Sequence, residues 1–169
     1  DFIADLRTQL PGKCPADDRG PRAGRQVLEL ALEQVLRDGR HAGFHRRVHA
    51  VQYNGAELAG WPYDLGDAWT YAPPAVGDID GDGSPEVAVG RSGGPVADYG
   101  LYVITHDGND FGNFPYWMEG GSEGTVVLAD FAGDDRLELI FTNNLSESNN
   151  GFIFAVDADA QLLDGWPLR

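Results

Sequence analysis

The chain has 169 residues, of which 42% are hydrophobic and 11% aromatic, so it can bury one core and is not a disordered tail. Its 23 glycines and 10 prolines favour many short elements joined by tight turns and argue against an all-helical fold. The 12 basic and 27 acidic residues give a net charge of −15, which excludes nucleic-acid partners and favours cations. No run approaches the roughly 18 apolar residues of a membrane span.

Residues 1–47 differ in character from the rest of the chain. The opening Asp1 to Asp5 has neither the basic start nor the apolar middle of a signal peptide, and the single Cys14 excludes an intrachain disulfide. Residues 11–25, rich in Pro, Gly, Arg and Asp, indicate an irregular segment. Residues 26–36 are strong helix formers with an apolar stripe and favour a helix. We therefore expect an atypical N-terminal segment that is irregular or partly helical.

From about residue 48 onward the sequence repeats. An aromatic residue followed by proline occurs at Trp61, Phe114 and Trp166, with spacings of 53 and 52 residues. An acidic segment that begins at Asp78 is repeated from Asp130, 52 residues later. Two independent markers with one period indicate a repeat architecture.

Every apolar segment within a repeat is short and is typical of a β-strand. About four such strands in each period of about 50 residues predict the blades of a β-propeller. We therefore expect an all-β fold over residues 48–169, with a half blade at 48–65 and blades at 66–118 and 119–169. One blade cannot cover both of its own faces. Closing a ring from about two and a half blades would require further sequence or other chains.

The loop from Asp78 to Glu86 carries the clearest chemical motif. Carboxylates stand at its positions 1, 3, 5 and 9, glycines at positions 4 and 6, and the position 7 carbonyl can add one more oxygen. Hard oxygen ligands suit Ca²⁺, and the loop has no His or Cys for a softer metal. The sequence therefore predicts a calcium site with the ligands Asp78, Asp80, Asp82, Ser84 and Glu86.

The first six positions of this loop also match an EF-hand, which is a competing interpretation. An EF-hand requires a bidentate Glu at position 12, which is Val89 here, and helices on both sides of the loop. The residues after Pro85 are instead typical of a strand. We therefore expect a cation loop at the bend of a β-hairpin. Without a metal, the loop would be a solvated acidic hairpin whose carboxylates repel one another.

The second acidic loop is a degenerate copy. Asp130, Asp134 and Glu138 keep positions 1, 5 and 9, but Ala132 stands at position 3 and Arg136 at position 7. One carboxylate is lost and a positive charge is placed beside the site. These three residues are a partial ligand set, and a purely structural turn is the default interpretation.

The segment from Val76 to Gly90 resembles the FG-GAP/VCBS repeat, the integrin-α-like propeller blade with a calcium loop between its first two strands. The segment from Val156 to Pro167 resembles the Gly-Trp-Pro blade ends of secreted bacterial members. The resemblance covers residues 48–169, and it is specific at the first loop and partial at the second. It implies a calcium-stabilised propeller, usually extracellular, in a ring of about seven blades. Such modules are appended to secreted hydrolases or lyases, or serve in adhesion and binding.

These features favour a non-catalytic, secreted or cell-surface calcium-binding module for scaffolding, adhesion or recognition of a protein or carbohydrate. One alternative is a fragment of a secreted polysaccharide lyase or peptidase, but the sequence offers no convincing general base, since His106 lies at a hairpin turn. Another is a lectin-like oligomer, in which aromatic residues near the connectors stack on sugars. Packing between blades also explains those aromatic residues, which are Tyr63, Trp69, Tyr71, Tyr99, Tyr116 and Trp117.

Overall fold

The computed structural model describes residues 29–31, 46–52, 55–67, 69–93, 99–145 and 151–169. These residues form strands, bridges and turns, and they contain no helix. All paired strands are antiparallel, so the prediction of an all-β fold is confirmed for this part of the chain. Within the same residues, no helix is long and apolar enough to cross a membrane.

The first sheet consists of β1 (Glu29–Ala31), β2 (Arg47–Val51) and β3 (Tyr63–Asp64), hydrogen-bonded in that order. The predicted helix over residues 26–36 is therefore wrong at Glu29–Ala31, and the rest of that range lies outside the described residues. The pairing of β1 with β2 satisfies the backbone groups of β1 across the sheet, and such tertiary pairing overrides helix propensity.

The second sheet is a four-stranded meander in which each strand pairs with the next along the chain. It consists of β4 (Ala75–Gly77), β5 (Glu86–Gly90), β6 (Gly100–Ile104) and β7 (Tyr116–Trp117). Both central strands, β5 and β6, are buried along their whole length. This sheet has the four antiparallel strands that the sequence predicts for one period.

The third sheet consists of β8 (Val127–Ala129), β9 (Glu138–Thr142) and β10 (Ile153–Val156), with β9 in the centre. The fourth strand that was predicted near Trp166 is reduced to a single antiparallel bridge between Ile153 and Leu168. The third sheet therefore repeats the first three strands of the second sheet in the same order.

The turns that lead from β2, β6 and β10 to the aromatic–proline markers share the same hydrogen bonds. A tight-turn amide donates to the carbonyl three residues earlier, at 2.8, 2.9 and 3.0 Å: Gly55 to Gln52, Gly108 to Thr105 and Ala160 to Asp157. The marker amide donates in the same way, at 3.2, 3.0 and 3.1 Å: Trp61 to Leu58, Phe114 to Phe111 and Trp166 to Leu163. The three aromatic–proline peptide bonds are all cis. The sequence repeat is thus a repeat of backbone structure.

The second sheet is covered on both faces, because successive side chains of a strand point in opposite directions. Its side chains Val87, Val89, Tyr102 and Ile104 form one buried cluster with Val48, Ala50, Trp61 and Leu65, which come from the first sheet and the connections around it. Side chains of the other face form a second cluster with the third sheet; its central members are Ala88, Leu101, Val103, Leu139, Phe141, Phe154 and Val156. The core therefore lies between successive sheets.

Candidate metal centre

The first acidic loop connects β4 to β5 and forms the bend of a hairpin, as the sequence predicts. Glu86, the first residue of β5, is paired with Gly77, the last residue of β4. This pairing brings the two ends of the loop together, so that Asp78 and Glu86 approach each other although seven residues separate them. Gly81 and Gly83 have φ angles of +78° and +94°, a left-handed conformation that glycine adopts without steric strain.

Three carboxylates converge inside this bend. One oxygen from each of Asp78, Asp80 and Glu86 lies within 4.8 Å of the others. Two oxygens bound to one Ca²⁺ at about 2.3–2.6 Å can be no more than about 5 Å apart, so the spacing is compatible with a shared ion. This group is the one set of three metal-ligating side chains found among the described residues.

One oxygen of Asp78 is left without a protein partner. Its Oδ2 accepts a hydrogen bond from the Gly83 amide at 2.9 Å, whereas its Oδ1 is buried and accepts no hydrogen bond. Burying a carboxylate oxygen without a donor is unfavourable by about 1–3 kcal/mol or more. A cation between the three carboxylates would supply the missing interaction.

The second buried ligand candidate is Glu86, whose side chain is 2% exposed and accepts a hydrogen bond from the Ile79 amide at 2.8 Å. Burial is the main cause that raises the pKa of Glu86 to about 7; the carboxylates of Asp80, Asp82 and Asp78 add to this rise, and the Ile79 hydrogen bond opposes it. Negative charge is therefore unfavourable here unless a positive ion offsets it.

The remaining two predicted ligands are not brought into the group of three carboxylates. Asp82 is exposed, and its Oδ1 accepts a hydrogen bond from the Ser84 amide at 2.7 Å. Asp80 similarly accepts one from the Asp82 amide at 3.1 Å, but its side chain still reaches the group. A carbonyl contact from Ser84 to a cation stays a prediction.

The second acidic loop, between β8 and β9, uses its carboxylates differently. Asp130 accepts hydrogen bonds from three backbone amides, those of Gly133, Asp134 and Asp135, at 2.6–3.2 Å. Glu138 accepts two more, at 2.8 and 3.1 Å, from Phe131 and Ala132. Backbone amides thus bind both oxygens of Asp130 and one oxygen of Glu138.

Two further charged side chains of this loop, Asp134 and Arg136, also have partners. Asp134 accepts a hydrogen bond from the Arg136 amide at 3.1 Å. The Arg136 guanidinium turns to Asp159, with a distance of 3.0 Å from Nη1 to Oδ2. Among the described residues, Asp130, Asp134 and Glu138 are not found as a group of three ligands.

Ile79 is a residue that the sequence analysis missed. It occupies position 2 of the first loop, its side chain is fully buried, and its carbonyl accepts a hydrogen bond from the Leu137 amide at 3.0 Å. An added Cβ at Gly81 would lie 3.3 Å from the carbonyl oxygen of Asp135. The two acidic loops therefore touch across the boundary between sheets. The sequence did contain a signal for this contact, because a large apolar residue stands between Asp78 and Asp80 in an otherwise polar loop.

Comparisons of this chain with protein-family models, with curated proteins and with solved structures found no match. The resemblance to the FG-GAP/VCBS repeat therefore depends on the motif residues alone.

Proposed function

We propose that this chain is a Ca²⁺-binding β-propeller module that acts outside the cell in scaffolding or recognition, without catalysis of its own. The observation that carries the calcium proposal is the buried, unpartnered Oδ1 of Asp78 beside the carboxylates of Asp80 and Glu86. The ion would hold the bend of the β4–β5 hairpin together and neutralise its charge. Its role would be structural, because it would join two strands of one sheet.

The propeller part of the proposal is supported by the faces of the repeated sheets. Leu101 of the second sheet is fully buried by the third sheet, whereas Ile153, 52 residues later, is 42% exposed. Leu168, which is bridged to Ile153, and Val127, on β8 of the same sheet, are 46% and 53% exposed. An apolar sheet face of this kind is the surface that a further sheet of the same array would cover, whether from further sequence or from another chain.

Thermal unfolding in CaCl₂ and in chelator tests the calcium proposal. A ligand present at about 100 times its Kd stabilises the folded state by about 2.7 kcal/mol. For a chain of this size, that corresponds to a rise in Tm of about 5–10 °C. Equal Tm values in calcium and in chelator would overturn the proposal.

Two matched variants locate the effect. Asp80→Asn and Asp134→Asn each remove one carboxylate charge and keep the oxygen that accepts a backbone hydrogen bond within the loop. Asp80→Asn should abolish most of the calcium-dependent rise in Tm, and Asp134→Asn should leave it unchanged. Loss of the rise in both variants, or in Asp134→Asn alone, would place the ion elsewhere.

A further inference from the structure

A cluster of aromatic and charged side chains lies where the first and second sheets meet, away from the acidic loops. We call it the polar aromatic cluster, and it consists of Tyr63, Arg91, Tyr102, Asp110 and Trp117. Two of these residues, Arg91 and Tyr102, are buried, with 4% and 7% of their surface exposed. The Arg91 Nη1 donates a hydrogen bond to the Tyr102 hydroxyl at 2.9 Å, and the guanidinium lies 5.9 Å from the centre of the same ring.

The other three residues of the cluster reach the surface. Tyr63 is half-buried, lies 6.3 Å from the Tyr102 ring centre, and donates its hydroxyl proton to the exposed Asp110 at 2.5 Å. Trp117 meets Tyr102 edge to face, with ring centres 6.1 Å apart, and is 54% exposed. The cluster therefore offers an exposed indole beside a phenol, a carboxylate and a buried guanidinium.

The indole position depends on a glycine. Gly100 is paired with Trp117 across β6 and β7, and an added Cβ at Gly100 would lie 3.4 Å from Cε3 of the indole and 2.9 Å from the Tyr116 carbonyl oxygen. The ring thus lies over bare backbone, where a side chain would displace it. Because Trp117 rests on β6 and on the Tyr102 ring, its position is set by the sheet and not by a loop.

The boundary between the second and third sheets provides an internal control. The residues 52 or 53 positions after the cluster members are Tyr116, Asn143, Phe154, Leu162 and Arg169. There, Tyr116 packs edge to face on Phe141 and Phe154 at 5.8 and 6.1 Å, and those two rings stack at 5.3 Å. Packing of two sheets in this protein is therefore achieved with Phe at the Tyr102 position, and the Asp110 position holds Leu162, which is 39% exposed.

The first boundary thus carries polar groups that sheet packing does not require. Burying a guanidinium and a phenol is unfavourable unless each finds partners, so their presence at only one of two equivalent boundaries indicates a role besides packing. Burial, together with the hydrogen bond to Asp110, raises the pKa of Tyr63 above its ordinary range. The Tyr63 hydroxyl therefore stays protonated and keeps its hydrogen bond to Asp110.

We propose that the polar aromatic cluster is a binding site for a neutral saccharide, with one pyranose ring stacked on Trp117. The apolar face of a pyranose matches an exposed indole, and its hydroxyl groups can donate to Asp110 and to the Tyr63 hydroxyl oxygen. The cluster holds one positive and one negative side chain, so it does not select a charged ligand. The chain's net charge of −15 opposes uronic acids and other anionic sugars.

This inference goes beyond the calcium proposal and does not depend on it, because no residue of the acidic loop belongs to the cluster. The test is calorimetric titration of the chain with methyl pyranosides of glucose, galactose, mannose and N-acetylglucosamine, and with galacturonic acid as the anionic arm. At least one neutral glycoside should bind, and the uronic acid should bind more weakly than methyl galactoside. The same glycoside should bind with unchanged affinity in CaCl₂ and in chelator.

Two variants and a matched control localise the binding. Trp117→Ala should weaken binding of that glycoside by about tenfold or more, equivalent to about 1.4 kcal/mol. Tyr63→Phe should weaken it by removing one hydroxyl, whereas Tyr116→Phe, at the equivalent position of the other boundary, should not. Since Trp117 is exposed, its removal leaves the core intact, and an unchanged Tm confirms folding.

Three outcomes would overturn the proposal. The first is that none of the four neutral glycosides binds. The second is that galacturonic acid binds more tightly than methyl galactoside. The third is that folded Trp117→Ala binds as the unaltered chain does, or that Tyr63→Phe and Tyr116→Phe have equal effects.

Discussion

The two acidic loops begin 52 residues apart, occupy the same bend of successive sheets, and share part of their hydrogen bonding. In each, the amide after the first Asp donates to the closing Glu, at 2.8 Å in both loops: Ile79 to Glu86 and Phe131 to Glu138. The difference lies in the first Asp. Asp78 accepts one backbone hydrogen bond and leaves Oδ1 unpartnered, whereas Asp130 accepts three.

From this difference we infer that the same hairpin bend has a different role in each loop. The shared hydrogen bonds build the bend, and the orientation of the first Asp decides what occupies its centre. In the second loop three backbone amides donate hydrogen bonds to the Asp130 carboxylate. In the first loop the carboxylates of Asp78, Asp80 and Glu86 face one another, and this is where we propose a positive ion.

Glu138→Ala should give the largest effect, because it removes the acceptor of two backbone hydrogen bonds in the second loop. We expect a loss of about 2 kcal/mol of unfolding free energy, about 1 for each bond, measured by denaturant unfolding. Glu138→Gln keeps an acceptor and should lose less. Equal losses in the two variants would show that charge, and not hydrogen bonding, holds this loop.

The next largest contrast is expected between Asp78→Asn and Asp130→Asn. Asp78→Asn can still accept from Gly83, so its Tm in chelator should change little, but its calcium-dependent rise should be lost. Asp130→Asn loses at least one acceptor, so its Tm should fall by about 2–4 °C in calcium and in chelator alike. If both variants fall only in calcium, the two loops are equivalent cation sites.

Ala132→Asp restores the missing carboxylate of the second loop and should have a smaller effect. Because backbone amides already occupy Asp130 and Glu138, the change should not create a calcium-dependent rise in Tm beyond that of the unaltered chain. The measurement is the same pair of melting curves. An additional rise in calcium would show that a single carboxylate separates the two loops.

Arg136→Ala should have the smallest effect. The Arg136 guanidinium lowers the pKa of Asp159 by a hydrogen bond and by its charge. A carboxylate with a lowered pKa in the folded state stabilises the protein above its unfolded pKa, and this contribution is lost as the pH falls through the folded pKa. The pair is exposed, so Tm at neutral pH should not change measurably. NMR titration should show the pKa of Asp159 returning toward its ordinary value, and no change would exclude the pair in solution.

The sequence predicted the bend of each hairpin and the period of the repeat, because turn chemistry and strand alternation are local. It could not predict β1, since the partner of Glu29–Ala31 lies in β2 and local propensity favoured a helix. Nor could it separate Asp82 from the other carboxylates. The Asp82 side chain is held by the Ser84 amide, a choice between a local hydrogen bond and a shared site that spacing alone does not decide.

The polar aromatic cluster was only partly visible in the sequence. Tyr63 and Trp117 were noted as aromatic residues near connectors, but Arg91 and Asp110 had no motif to mark them. Their significance emerges from the equivalent positions Asn143 and Leu162 at the other boundary, which requires both the repeat register and the packing of the sheets. Internal repeats of this kind allow one part of a chain to serve as the reference for another.

Ile79 connects the first acidic loop to the neighbouring sheet. Its amide is fastened to Glu86, its carbonyl to the Leu137 amide of the neighbouring sheet, and its side chain is locked in the core between them. A shift of the Glu86 carboxylate would therefore also move Ile79, and through the Ile79 carbonyl it would move Leu137 in the neighbouring sheet. A ligand bound in the first acidic loop would therefore affect the relative position of the second and third sheets.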